Sequence, residues 1–115
     1  KGADAISLYL AAADLAWQQG DSFKARSLIE SLDLEQGSPA QVIFANTLSA
    51  ELALERKQPE MALQLMQAPA FERLAELPVK QQIRSQQAKA RALEATGQLL
   101  PAVHLVPGQP SPDST

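Results

Sequence analysis

The chain contains no cysteine, which excludes disulfides and thiolate metal sites but leaves the cellular compartment open. It also lacks a basic excess: ten Lys and Arg stand against thirteen Asp and Glu, the formal net charge is −3 and the isoelectric point is near 5.0. A nucleic-acid-binding protein needs a basic face, so this balance argues against nucleic acid as a partner. No apolar run approaches the roughly 20 residues that cross a bilayer.

Groups that carry out catalysis are equally scarce. His104 is the only histidine, and no Cys, Asp or Glu lies beside it at a spacing suited to a metal or a general base. Ser27, Ser49 and Ser85 lack a base and an oxyanion-hole motif. The five glycines stand singly, so no Gly-rich phosphate loop is present. We therefore predict no enzyme, no cofactor and no metal site.

Helix-forming residues are abundant. Hydrophobic residues make up 45% of the chain although aromatic residues make up only 4%, so Ala and Leu must build the core. Alternating runs of Val, Ile and Thr, which are typical of strands, are absent. The composition predicts an all-α protein that forms one domain.

Three stretches of the chain can be laid over one another, and each places two alanines the same distance apart around a turn. They run over residues 13–25, 50–62 and 90–102, and their turns lie at Gly20-Asp21, Lys57-Gln58 and Gly97-Gln98. Pro59 follows the second turn at a first-turn helical position, where its missing N–H costs nothing. Each unit is therefore predicted to be helix, tight turn, helix. Three such antiparallel pairs form an α-solenoid.

The small residues of the repeat explain how the helices of a pair approach each other. A short side chain lets one helix enter the groove of the next, and larger residues then fill the space between pairs. The small residues of the first helices are Ala13, Ala50 and Ala90, those of the second are Ala25, Ala62 and Ala102, and the filling residues are Leu28, Ile29, Leu63, Leu65 and Met66.

The domain is predicted to span residues 4–106, with its last helix from Gln98 to Val106. Pro69 and Pro78 bracket a segment that has room for an extra helical turn or two between the second and third units. Residues 107–115 are dense in Pro, Gly and Ser and are expected to form a flexible tail or linker.

The spacing of these small residues resembles the tetratricopeptide repeat in a degenerate form. Tyr9 falls at the aromatic position of the first unit, whereas Asn46 and Gln86 occupy it in the others. The resemblance implies that the first helix of each pair lines a concave groove, which can hold a peptide or a partner helix. The residues then expected to face the groove are Ser7, Leu10, Asp14, Trp17, Phe44, Thr47, Glu51, Leu54, Arg84, Gln87, Arg91 and Glu94.

Several of these residues have a structural alternative. Trp17 can instead cover a core near its turn, and Glu51 can pair with Arg91 across adjacent units at little net gain. One face of the first helix of the third unit is predicted to carry a stripe of three basic residues, Lys80, Arg84 and Arg91. That stripe is either a solvated helix face or a site for an anionic ligand.

The amino-acid sequence of the repeats also resembles the amino-terminal helical domain of the LppC/LpoA lipoproteins, over about residues 4 to 105. The resemblance lies in four stretches of the sequence, at residues 9–21, 25–32, 50–54 and 90–97. It implies a periplasmic module of an outer-membrane lipoprotein that activates a peptidoglycan synthase, a class A penicillin-binding protein. The membrane would be reached only through a lipidated cysteine upstream of Lys1, and a larger domain would follow.

The sequence is compatible with two functions from different classes. One is this envelope lipoprotein module, and the other is an intracellular adaptor that binds a peptide or helix in its concave groove. A purely structural spacer is compatible with either. Because the chain starts at Lys1 without Met, we expect an excised piece. A lipobox upstream in the parent gene would select the lipoprotein, and a start codon there would select the adaptor.

Overall fold

A computed structural model describes the backbone of residues 2–97 and the side chains of residues 5–97. The described chain is helical throughout: five α-helices and two 3₁₀ segments follow one another without a strand in this part of the protein. The helices are α1 (Gly2–Gln18), α2 (Ser22–Glu30), α3 (Pro39–Glu55), α4 (Pro59–Leu65) and α5 (Val79–Thr96). The all-α fold is confirmed, and the helices form a solenoid-like stack in which α1 pairs with α2 and α3 with α4.

The three turns of the repeat share one backbone conformation. Gly20, Lys57 and Gly97 have φ angles of 86°, 62° and 83°, and each stands seven residues after Ala13, Ala50 or Ala90. This left-handed conformation ends a helix at little cost when the residue is glycine. Lys57 adopts it as a non-glycine residue. The common turn supports the register deduced from the alanines.

The start of α3 is the best-defined helix end. Ser38 Oγ accepts a hydrogen bond from the Gln41 backbone N–H (3.2 Å), and the Gln41 side chain accepts one from the Ser38 N–H (2.9 Å), which forms a capping box. Pro39 occupies the first helical position. Gln41 Nε2 also donates to Ser7 Oγ (2.8 Å), so the cap ties α3 to α1.

The predicted small residues lie where the helices of a pair meet. Ala13, Ala25, Ala50 and Ala62 are all fully buried. Large side chains beside them complete three apolar clusters, one of which joins α3 and α4 to α5. One hairpin cannot bury its own apolar face, so the stacking of units supplies the core.

Ala90 departs from this pattern, because it is exposed. In the first two units this position faces the second helix of the same pair. The corresponding helix of the third unit, predicted at Gln98 to Val106 with Ala102, lies outside the described residues, as does the predicted tail. The buried residues of α5 are instead Ser85, Ala88 and Ala92, which face the preceding pair.

The extra turns expected between the second and third units form a 3₁₀ segment, Pro69–Glu76. Pro69 stands in its first turn, and the segment packs on α3. Gln82 of α5 donates to the carbonyl of Leu77 (2.7 Å), which ties the first turn of α5 to the connection that precedes it. The connection therefore fixes where α5 enters the stack.

Candidate interaction groove

Arg84 joins the first helices of all three units. Its Nη2 donates to Glu51 Oε1 (2.7 Å) and to Asp14 Oδ1 (2.9 Å), and its Nε donates to Glu51 Oε2 (3.0 Å). The contact with Glu51 is therefore bidentate, the geometry in which a guanidinium binds a carboxylate most strongly. We call Asp14, Glu51 and Arg84 the ion bridge. It connects α5 to α3 and also to α1, which is two units away in the stack.

The ion bridge is largely removed from water. The side chains of Arg84, Asp14 and Glu51 are 25%, 20% and 10% exposed. Hydrogen bonding to Glu51 raises the pKa of the Arg84 guanidinium well above its usual value, although burial opposes the shift. The guanidinium carbon also lies 5.6 Å from the centre of the Phe44 ring, within cation–π range. Two carboxylates face one cation, so the ion bridge carries a net charge of −1.

A second polar contact, fully buried, lies between α3 and α5. The hydroxyls of Thr47 and Ser85 are 2.8 Å apart, and Gln81 Nε2 donates to Ser85 Oγ at 3.0 Å. Thr47 and Ser85 are at most 1% exposed. Buried hydroxyls are costly unless they are paired, so this contact specifies the register of the two helices.

An apolar depression of about 340 Å³ opens beside the ion bridge. Its floor includes Phe44 and the buried Leu10, and its rim includes the exposed Ala40 and Pro78. Residues of α1 and α3, of the turn before α5 and of α5 itself line it. The lining residues are Ser7, Leu10, Ala11, Ala40, Gln41, Phe44, Leu77, Pro78 and Gln81. The depression can receive an apolar side chain of a partner.

The structure brings together about half of the residues predicted to face the groove. Leu10, Phe44, Thr47 and the ion bridge cluster where α1, α3 and α5 meet. Leu10, Thr47 and Glu51 are buried, so they belong to the packing between helices and do not form an open floor. Trp17 packs on the cluster of Ala16, Ala25 and Leu52, and Leu54 packs on the α3–α4–α5 cluster, whereas Gln87, Arg91 and Glu94 are exposed.

Two expectations about charge are wrong. Glu51 pairs with Arg84, not with Arg91, which is exposed. The stripe of Lys80, Arg84 and Arg91 is consequently not one solvated face: only Lys80 and Arg91 are exposed. The register led us to pair residues at equal positions of neighbouring helices, whereas Arg84 stands seven residues before Arg91 and reaches its carboxylates diagonally. A long arginine side chain has the reach for such a contact.

Ser85 and Gln81 have structural roles that were not predicted from the sequence. Ser85 lies on the buried face of α5 with Ala88 and Ala92, and Gln81 donates a hydrogen bond to it. The spacing of these three small residues was the available signal, because positions three and four apart share a helix face.

The described part of the chain has neither a metal-binding cluster nor a membrane-spanning helix. Residues 5–97 contain no group of three or more His, Cys, Asp or Glu side chains placed to hold a metal ion. None of the helices described is both long enough and apolar enough to cross a membrane. His104 lies outside the described residues.

Comparison with known proteins gives one family. The profile of a family described as "LppC putative lipoprotein" matches residues 1–106, which include all five α-helices. No curated protein and no solved structure gave a significant match. The matched range covers most of the chain and agrees with the resemblance found in the repeats. The chain belongs to the LppC family of cell-envelope lipoproteins.

Proposed function

We propose that this chain is a non-catalytic interaction or spacer module of a periplasmic, outer-membrane lipoprotein that activates a peptidoglycan synthase, a class A penicillin-binding protein. Membership of the LppC family carries the proposal. The link to the synthase comes from the resemblance of the repeats to the LppC/LpoA lipoproteins. In this proposal the membrane is reached through a lipid anchor on the parent protein, upstream of Lys1.

The geometry of the concave side supports an interaction or spacer role. A spacer must hold its shape, and the ion bridge and the Thr47–Ser85 contact both tie α5 to α3. A docking module needs an apolar recess with a polar rim, and the depression above Phe44 has that form. The net negative charge of the ion bridge beside it favours a partner segment that combines an apolar side chain with a cationic one.

Binding of this chain to a purified class A penicillin-binding protein tests the proposal. Biolayer interferometry gives the affinity, and the rate of glycan polymerisation and cross-linking gives the effect on activity. Ala40→Lys places a cation on the rim of the depression, where it opposes the cationic side chain expected of the partner. Ala95→Lys, at an exposed position near the end of α5, is the matched control.

The expected result is binding that Ala40→Lys weakens and Ala95→Lys leaves unchanged. Stimulation of the synthase would assign activation to this module, and binding without stimulation would assign it docking or spacing. A pull-down from solubilised envelope extract, read by mass spectrometry, is the wider test. Failure to bind the synthase in both experiments, with only cytosolic proteins recovered, would contradict the proposal.

A further inference from the structure

The outer face of α1 is apolar and bare. Leu8 is 70% exposed and Leu15 is 57% exposed, and the alanines between them, Ala11 and Ala12, are exposed as well. We call these four residues the leading face. Among the described side chains of α1 the only charged one is Asp14, which is bound to Arg84 in the ion bridge. The polar side chains Ser7, Asp14 and Gln18 lie on another face of α1, and exposed apolar side chains grouped on one face mark an interaction surface.

The repeat shows what this face does in the other units. Ala45 and Leu52 stand at the positions of α3 that correspond to Leu8 and Leu15, counted from Ala50 and Ala13. They are 0% and 4% exposed because they pack on the first unit: Ala45 on Ile6 and Leu10, and Leu52 on the cluster around Ala25.

The third unit repeats the arrangement. Ser85, Ala88 and Ala92 occupy the corresponding positions of α5, and all three are buried against the second unit. Leu8, Ala11 and Leu15 therefore hold stacking positions of the repeat, whereas Ala12 lies at the edge of that surface, where its equivalents are the half-buried Ser49 and the exposed Lys89. In the first unit none of the described residues covers the leading face. Terminal repeats of a soluble solenoid need a polar outer face, and this one has none.

The order of residues on the leading face points to the occupant. Leu8, Ala11, Ala12 and Leu15 form a palindrome: a large residue, two small residues and a large residue, symmetric about the point midway between Ala11 and Ala12. If two copies of α1 run antiparallel, Leu8 of each meets Leu15 of the other, and the alanines at the crossing allow the backbones to approach closely. A two-fold axis requires such mutual contacts. The absence of charge from the leading face means that no like charges meet across that axis.

We propose that the leading face is a dimerisation surface, on which a second copy of this chain docks through an antiparallel α1–α1 contact. Analytical ultracentrifugation of the 115-residue chain over a range of concentrations tests this. The expected mass rises from 12.4 kDa toward twice that value. Leu8→Glu with Leu15→Glu should weaken association at least about 100-fold, because two buried leucines are replaced by charges that face each other.

Val79→Glu is the matched control, since it adds a charge at an apolar residue that is 67% exposed at the other end of the stack. It should leave the association unchanged, and circular dichroism confirms that both variants are folded. A chain that is monomeric at every concentration overturns the proposal. So does a dimer that resists the Leu8/Leu15 change but yields to Val79→Glu.

The orientation has its own test, because the chain contains no cysteine. A mixture of Leu8→Cys and Leu15→Cys chains should form a disulfide between unlike copies, and Ala12→Cys should link to itself near the two-fold axis. Preferential linking of Leu8→Cys to itself would show a parallel contact and overturn the antiparallel arrangement.

Discussion

Replacing Arg84 by methionine tests the ion bridge directly. The change keeps an unbranched apolar stem but removes the guanidinium, so Asp14 and Glu51 keep their charges without the cation between them. Breaking a fully buried ion pair costs about 3–5 kcal/mol. The three side chains here are 25%, 20% and 10% exposed, and water therefore relieves part of the cost. We expect Arg84→Met to lower the free energy of unfolding by about 2–3 kcal/mol.

Urea denaturation followed by circular dichroism at 222 nm measures this change. For a domain of this size the loss corresponds to a fall in Tm of roughly 10–20 °C. Arg91→Met is the matched control, because Arg91 lies on the same helix, is exposed, and has no ion-pair partner among the described residues. It should change stability by no more than about 0.5 kcal/mol.

A third variant separates charge from packing. Asp14→Asn, Glu51→Gln and Arg84→Met together remove every charge of the ion bridge, and the triple variant should recover to within about 1 kcal/mol of the parent chain. The reasoning would be refuted if Arg84→Met were no more destabilising than Arg91→Met. It would also be refuted if the triple variant were as unstable as Arg84→Met, since the loss would then come from packing.

Four further substitutions test local contacts, each by the same denaturation assay. Thr47→Val and Ser85→Ala should each cost about 1 kcal/mol and together less than the sum, because they remove one shared hydrogen bond; full additivity would argue against the bond. Lys57→Gly should stabilise by up to about 1 kcal/mol, because it relieves a positive φ, and a loss of stability would speak against that strain. Ser38→Ala should cost about 1 kcal/mol through the lost cap, whereas an unchanged midpoint would show that the capping box contributes nothing.

The helices and their pairing were accessible from the sequence because local chemistry determines them. Gly20 and Gly97 end helices, Pro59 begins one, and the alanines at 13, 25, 50 and 62 leave room for close packing. These signals act within a turn or a hairpin, where residues that are close in the sequence are also close in space. Ala90 was assigned by the same logic but is exposed, so an alanine in the repeat register does not by itself determine burial.

The centre of the groove was less accessible for a different reason. Arg84 lies 70 residues from Asp14 in the chain, and their contact depends on how the three units are stacked and rotated. Repeat register gives the position of a residue along its own helix, but it does not give the diagonal offset between helices. The pairing of Glu51 with Arg91 followed from register alone, and the observed pairing with Arg84 needed the three-dimensional stack.

The ion bridge connects the first and third units, which are not neighbours in the stack. In a solenoid each unit ordinarily contacts only its neighbours, so its stability is close to a sum of units and nearest-neighbour interfaces. Arg84 adds a contact between the first and third units, which closes a loop through α1, α3 and α5. Bending that separates α1 from α5 must break this contact, so the ion bridge fixes the separation of these two helices. Phe44 lines the apolar depression and its ring lies against Arg84, so a partner bound there as proposed would touch the side chain that packs on the ion bridge. If that partner stabilises the contact between Phe44 and Arg84, then by reciprocity Arg84→Met should lower the affinity of the depression for it.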